Sequence, residues 1–154
     1  MSTVTITGLE KIVNNLRYLG NNVEQIIDKS LEKSANTMTQ VVKDKITQVG
    51  AVNTGAMRED TKAQKYGLCR YAVVCPAPYA IYIEYGTGNA GDPTVAHTAR
   101  DRWVYFNQYL GEYRTAYAQA ARPFMRPAFA EYKDVIVANT RRAILAAWAK
   151  EMMT

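Results

Sequence analysis

Histidine occurs once in this chain, at His97, and serine only at Ser2, Ser30 and Ser34. A Ser/His/Asp arrangement therefore has few places to form. Ser30 and Ser34 fall inside a long helical pattern, a poor setting for a strained nucleophile. Cysteine is equally sparse, with Cys69 and Cys75 and no Cys-x-x-Cys pair. With one histidine, that argues against a zinc site. The two cysteines stand six residues apart in one expected strand. Their side chains would share a face at a separation of about 20 Å, so a disulfide would require the strand to fold back on itself. Two reduced thiols, made in a cytoplasm, is the expectation. No run of five basic residues occurs. No apolar stretch reaches the roughly 18 residues of a membrane span. Met1–Thr7 lacks the basic-then-apolar pattern of a secretory leader.

What is present is ordinary except for tyrosine. The chain has 154 residues, 48% hydrophobic and 21% charged, which suits one domain with a sizeable core. Eleven tyrosines stand out. Their rings suit half-wet subunit interfaces, and equally they line strands. The net charge of +5 permits contact with nucleic acid without demanding it. Charges are interleaved, as in Glu24, Asp28, Lys29, Glu32 and Lys33, the pattern of a solvated helix face.

Along the chain, Thr3–Thr7 alternates β-branched residues and reads as a short strand. Leu9, Ile12, Val13, Leu16 and Leu19 mark a short amphipathic helix, ended by Gly20-Asn21-Asn22. Val23, Ile26, Ile27, Leu31, Ala35, Met38, Val41, Val42 and Ile46 then hold one apolar stripe over about seven turns, a helix of roughly 40 Å. Such a helix needs a sheet beneath it or a neighbouring subunit beside it. Val49–Gly55 is a loop. Thr61–Lys65, Leu68–Val74 and Tyr79–Tyr85 read as strands, with one helical turn as the alternative for the third. Residues 86–100 form a glycine-rich loop, expected to be mobile in the free subunit and to order on contact. Arg102–Asn107 and Tyr113–Tyr117 form a hairpin around Gly111. A closing helix starts at Pro127, with Phe129, Tyr132, Ile136, Thr140, Ala143, Ile144, Ala147 and Trp148 on its apolar face. The fold class is α+β: a small antiparallel sheet packed against a long N-terminal helix and a C-terminal helix, in a single domain over residues 1–154.

Chemistry is hard to find. A pairing of His97 with Cys69 or Cys75 is weighed against an ordinary surface histidine, which is the commoner case. Glu84 is the lone carboxylate of an apolar run. It is expected as a hydrogen-bonded anchor, to Arg58 or Arg70 for example, and as an acceptor locking the adjacent glycine turn. Asp92 and Asp101 lie in the loop, so they make no fixed carboxylate pair with Glu84. Gly86-Thr87-Gly88 is no phosphate loop, since no Gly-Lys-Ser/Thr follows. Lys133, Arg141, Arg142 and Lys150 form either a DNA-facing stripe or a solvated helix exterior.

Three segments in order are more specific: Asn53-Thr-Gly-Ala-Met-Arg58, Tyr79-Ala-Ile-Tyr-Ile-Glu-Tyr-Gly-Thr-Gly88 and Ala121-Arg-Pro-Phe-Met-Arg-Pro-Ala128. Preceded by a strand, Thr-Gly-Leu and a long helix, they resemble the small head–tail joining proteins of long-tailed bacteriophages. That group is labelled tail component, tail-completion or neck protein. Met57 and Asp60 are minor departures from its pattern. The resemblance implies a structural virion protein without catalytic, cofactor-binding or metal-binding residues. It would be made in the host bacterial cytoplasm and built into the head–tail junction. Its implied partners are copies of itself in a ring, hexameric or dodecameric, head-closure or connector proteins, and tail terminator or tube proteins. DNA would pass without sequence readout, and no membrane is involved. Thr54, Gly55, Arg58, Tyr79, Glu84, Gly86, Thr87, Arg122, Pro123, Phe124 and Pro127 are its interface or structural-motif residues. In the physical reading, Phe124 is a plug for the subunit's own core or for a neighbouring subunit, the own core being favoured because the motif must pin the start of the closing helix. Two other classes stay in view: a small basic non-specific nucleic-acid-binding protein, and a small hydrolase using His97.

Overall fold

The computed structural model describes residues 9–51, 55–96, 98–108 and 110–153. The strand expected at Thr3–Thr7 lies outside them. The N-terminal pattern forms one helix, α1 (Leu9–Gln48), of 40 residues and so about 60 Å long. The expected break at Gly20–Asn22 is not there. A glycine within a helix costs only about 1 kcal/mol, too little to stop one that is favoured on both sides. Asn22 also turns inward to the helix, its Nδ2 donating to the Tyr18 carbonyl at 2.8 Å, rather than capping a new one. Helix α1 ends in a glycine C-cap. Gly50, at φ 64, donates to the Thr47 carbonyl, and the Ala51 N–H reaches back to Ile46 at 3.0 Å.

Next come a short helix α2 (Ala56–Asp60) and strands β1 (Lys62–Gly67) and β2 (Arg70–Val74), which pair across the turn at Leu68-Cys69. Of the two readings of Tyr79–Tyr85, strand or helical turn, the helix is the one formed, as α3 (Ala80–Tyr85). Burial shows why. Ala80 and Glu84, four apart, are buried, while Ile81 and Tyr82 are each 59% exposed. Their spacing follows a helical face and not a strand's alternation. A 3-10 turn, Gly88–Ala90, leads to strands β3 (Arg102–Asn107) and β4 (Glu112–Tyr117). These are antiparallel, with Val104 opposite Thr115 and Phe106 opposite Tyr113. Helix α4 (Met125–Met153) closes the chain. It begins two residues before Pro127, which therefore sits inside the first turn, where its missing N–H costs nothing. The class is α+β, with two separate two-stranded antiparallel sheets among the described residues in place of the one expected.

The chain divides into two compact units. Of the described residues, one holds those up to Met38, Ala63–Val73 and those from Tyr132 onward; the other holds those of Thr39–Lys62 and Val74–Glu131. In the first, Asp28 of α1 ties down the β1–β2 turn. Its carboxylate accepts from Lys65 Nζ at 2.5 Å, the Cys69 N–H at 2.9 Å and the Tyr71 hydroxyl at 3.3 Å. Cys69 has φ 55, a left-handed conformation that the Asp28 bond helps to hold. The Lys65 ammonium and the Cys69 N–H hold the Asp28 carboxyl below its ordinary value. Both cysteines are free thiols.

The second unit holds the largest fully buried side chains among the described residues, Phe124, Ile46, Val42 and Thr61, joined by Met57, Ala80 and Ala128. Val42 and Ile46 belong to the stripe read from α1. The Thr61 hydroxyl, which would be costly to bury alone, donates to the Met57 carbonyl at 2.7 Å.

Candidate functional site

All three sequence motifs contribute to this second unit, and two of them meet at Glu84. Helix α4 starts with Phe124 at its cap position, and phenylalanine has no side-chain acceptor for the free N–H groups there. Glu84 of α3 supplies one from 40 residues away in sequence. Its Oε2 accepts from the N–H groups of Phe124 at 2.7 Å and Met125 at 2.8 Å, and its Oε1 from that of Arg126 at 3.0 Å. Pro127 has no N–H, and the Ala128 N–H already turns to the Phe124 carbonyl. Every donor of the first turn is accounted for. The carboxylate also lies at the positive end of the helix dipole. Burial pushes the Glu84 carboxyl up, but the three N–H groups and the Arg126 guanidinium outweigh it, and its pKa falls below the ordinary 4.5.

Arg126 extends the cluster. Its Nε donates to Glu84 Oε1 at 3.1 Å and a terminal nitrogen to the Glu84 carbonyl at 3.3 Å. The other terminal nitrogen pairs with Asp92 at 2.8 Å, and the guanidinium lies 4.5 Å from the centre of the Tyr85 ring. The partner of Glu84 is thus Arg126, not Arg58 or Arg70, and the N–H groups it accepts belong to α4 rather than to the glycine turn. The Arg58 Nε is buried without a hydrogen-bond partner among the described residues. Asp92 is held down at about 2 by the Thr94 hydroxyl and N–H and by Arg126.

The glycine turn is fixed by crowding. Gly86 has φ 72, and a Cβ there would stand 2.5 Å from the Gln119 carbonyl and 2.7 Å from the Ala121 nitrogen. Gly88, at φ 62, would drive a Cβ into the Arg100 carbonyl and Ala118. Between them, Thr87 exchanges backbone hydrogen bonds with Gln119 at 2.8 and 3.0 Å. The Asp92 N–H donates to the Tyr85 carbonyl at 2.7 Å. The first half of the 86–100 loop is therefore tied at several points.

Gly55, at φ 87, precedes α2 in the left-handed conformation, and Tyr79 stands at the N-terminal end of α3. Arg122 donates its backbone N–H to Ile83 at 2.8 Å and its guanidinium to the Gly50 carbonyl at 3.1 Å. Pro123 leads into Phe124, which is 1% exposed in the chain's own core. Thr54 and His97 lie outside the described residues. Among the described residues, no cluster of histidine, cysteine and acids could hold a metal ion, and no helix is long and apolar enough to cross a membrane. Sequence reasoning missed Arg126 and Asp92 as members of the cluster. The available signal was an arginine beside the helix-starting proline, matched to a carboxylate without a local partner.

An internal carboxylate clamp, two obligatory glycines and a rigid helix start make a scaffold. Residues 12–86 match the family described as Bacteriophage HK97-gp10, putative tail-component. The match covers just under half the chain, including most of the long helix, the first motif and most of the second, and agrees with the phage resemblance read from the sequence. It makes the chain similar to a tail-related structural component of a bacteriophage, a family whose role is structural. Searches of curated proteins and of solved structures gave no match.

Proposed function

We propose that this chain is a ring subunit at the head–tail junction of a tailed bacteriophage, acting in neck formation or tail completion. The family match over residues 12–86 carries the reading. The use made of the motif residues supports it: Glu84, Arg126 and Asp92 saturate one another and the start of α4. The whole chain acts as one joining module. Six copies close by head-to-tail contacts to match a tail tube, with twelve as the alternative. The ring sits in the virion between head-closure or connector proteins and the tail terminator or tube, and DNA passes through its lumen. The loop at about 86–100 is the part of the subunit that orders further on ring closure.

The test is genetic and structural. A phage lacking this chain should accumulate full heads and finished tails that do not join, and the purified protein should restore joining. Micrographs of virions labelled for the protein should place it at the junction. Normal particles in its absence would sink the proposal. The alternative, a small basic nucleic-acid-binding protein, would bind DNA while leaving joining unaffected.

A further inference from the structure

The β3–β4 hairpin has an uncovered face. By the register, Arg102, Val104 and Phe106 share one side with Tyr113, Thr115 and Tyr117. Val104, Phe106, Tyr113 and Tyr117 are all more than half exposed. Phe106 and Tyr113 sit directly opposite and pack edge to face at 5.3 Å, so the rings brace one another. Aromatic side chains bury about 150–250 Å² each, so this face offers on the order of 500 Å² of mostly apolar surface. That rivals the largest patch on a typical monomer and is more than half of the about 800 Å² that each partner gives to a stable interface.

Helix α4 carries a surface that suits it. Asp134, Val137, Ala138, Arg141, Arg142 and Leu145 line a shallow groove. They fall on the side of α4 opposite the stripe of Tyr132, Ile136, Ala143 and Ala147, by the 100° advance per residue of a helix. Val137 and Leu145 are more than half exposed. The groove has an apolar floor, two guanidinium groups of the kind that lie over aromatic rings, and one acid. The hairpin face has three aromatic rings and one base, Arg102.

We infer that the hairpin face of one copy docks on the α4 groove of a second copy, with Phe106, Tyr113 and Tyr117 against Val137, Leu145 and the two arginines, and Arg102 facing Asp134. The contact is heterologous: each copy gives a hairpin and receives one, the kind of contact that builds rings when its rotation closes. It rests on the ring reading above and names that ring's interface.

Sedimentation of the full chain over a wide concentration range tests it. Wild type should form assemblies larger than a dimer. The double variants Tyr113→Ser/Tyr117→Ser and Val137→Ser/Leu145→Ser should each associate at least about a hundredfold more weakly, as the loss of central anchors demands. All four side chains are exposed, so both variants should melt like wild type. Mixed together, the two variants retain one native interface per pair and should form dimers and nothing larger. Should either variant melt early, Arg102→Asp and Asp134→Arg provide a second route: each alone weakens association and the two together restore it. Wild type that remains monomeric at every concentration overturns the inference. So does a hairpin variant that assembles like wild type, and that result leaves the ring reading standing. Assemblies that form through this contact but are absent from the head–tail junction would instead sink the ring's proposed position and support the interface.

Discussion

Glu84 shows how a single residue can join two motifs far apart in the chain. A buried carboxylate is costly unless its lone pairs are filled, and here three backbone N–H groups and one guanidinium fill them. Glu84→Gln keeps the shape but removes the charge and turns an amide NH₂ toward donors. We expect a loss of about 2–4 kcal/mol in unfolding free energy, measured by chemical denaturation. The pH dependence follows from the direction of the shift. The folded pKa of Glu84 lies below its ordinary 4.5, so its stabilisation is fully present above about pH 4.5 and is lost as pH falls through the folded value. Asp92 acts in the same sense, between 3.8 and about 2. Stability should therefore fall on acidification below pH 4.5, and Glu84→Gln should flatten the upper part of that slope. A variant with the wild-type acid profile would show that Glu84 is not the group responsible. Phe124 is the other residue with a large expected effect. It is 1% exposed, so Phe124→Ala should cost about 3–5 kcal/mol and lower the melting temperature of the isolated chain. A variant that melts like wild type but leaves heads and tails unjoined would move residues 122–127 onto an interface.

Among the elements, α1 and α3 are the instructive cases. Gly20 lies mid-helix in α1, and a Cβ added there would meet nothing within 4 Å. Gly20→Ala should therefore stabilise the chain by about 0.5–1 kcal/mol, through the unfolded state and helix propensity, seen as a raised melting temperature. A drop in stability would mean that the helix is interrupted there after all. Helix α3 is too short to persist alone, and its β-branched and aromatic residues favour a strand. It is helical because Ala80 and Glu84 must face the same way, one into the core and the other onto α4.

For the whole molecule, the charge of +5 matters more than any one basic residue. On the proposed ring reading, contact with DNA should be electrostatic, with affinity falling steeply as salt rises and equal for a scrambled duplex. Preference for one sequence in competition would favour a regulator over a virion component. The long helix, the closing helix, the first two strands, the hairpin around Gly111 and the α+β class were legible in the residues, because apolar periodicity and turn glycines are local signals that 3.6- and 2-residue repeats amplify. The apolar stripe of α1 correctly named Val42 and Ile46 as core. The continuity of α1 through Gly20, the choice of helix over strand for α3, the split into two sheets and the partner of Glu84 were not legible. Each depends on contacts between segments tens of residues apart, and local propensities differ there by less than the 1–3 kcal/mol that one buried hydrogen bond or packed ring contributes.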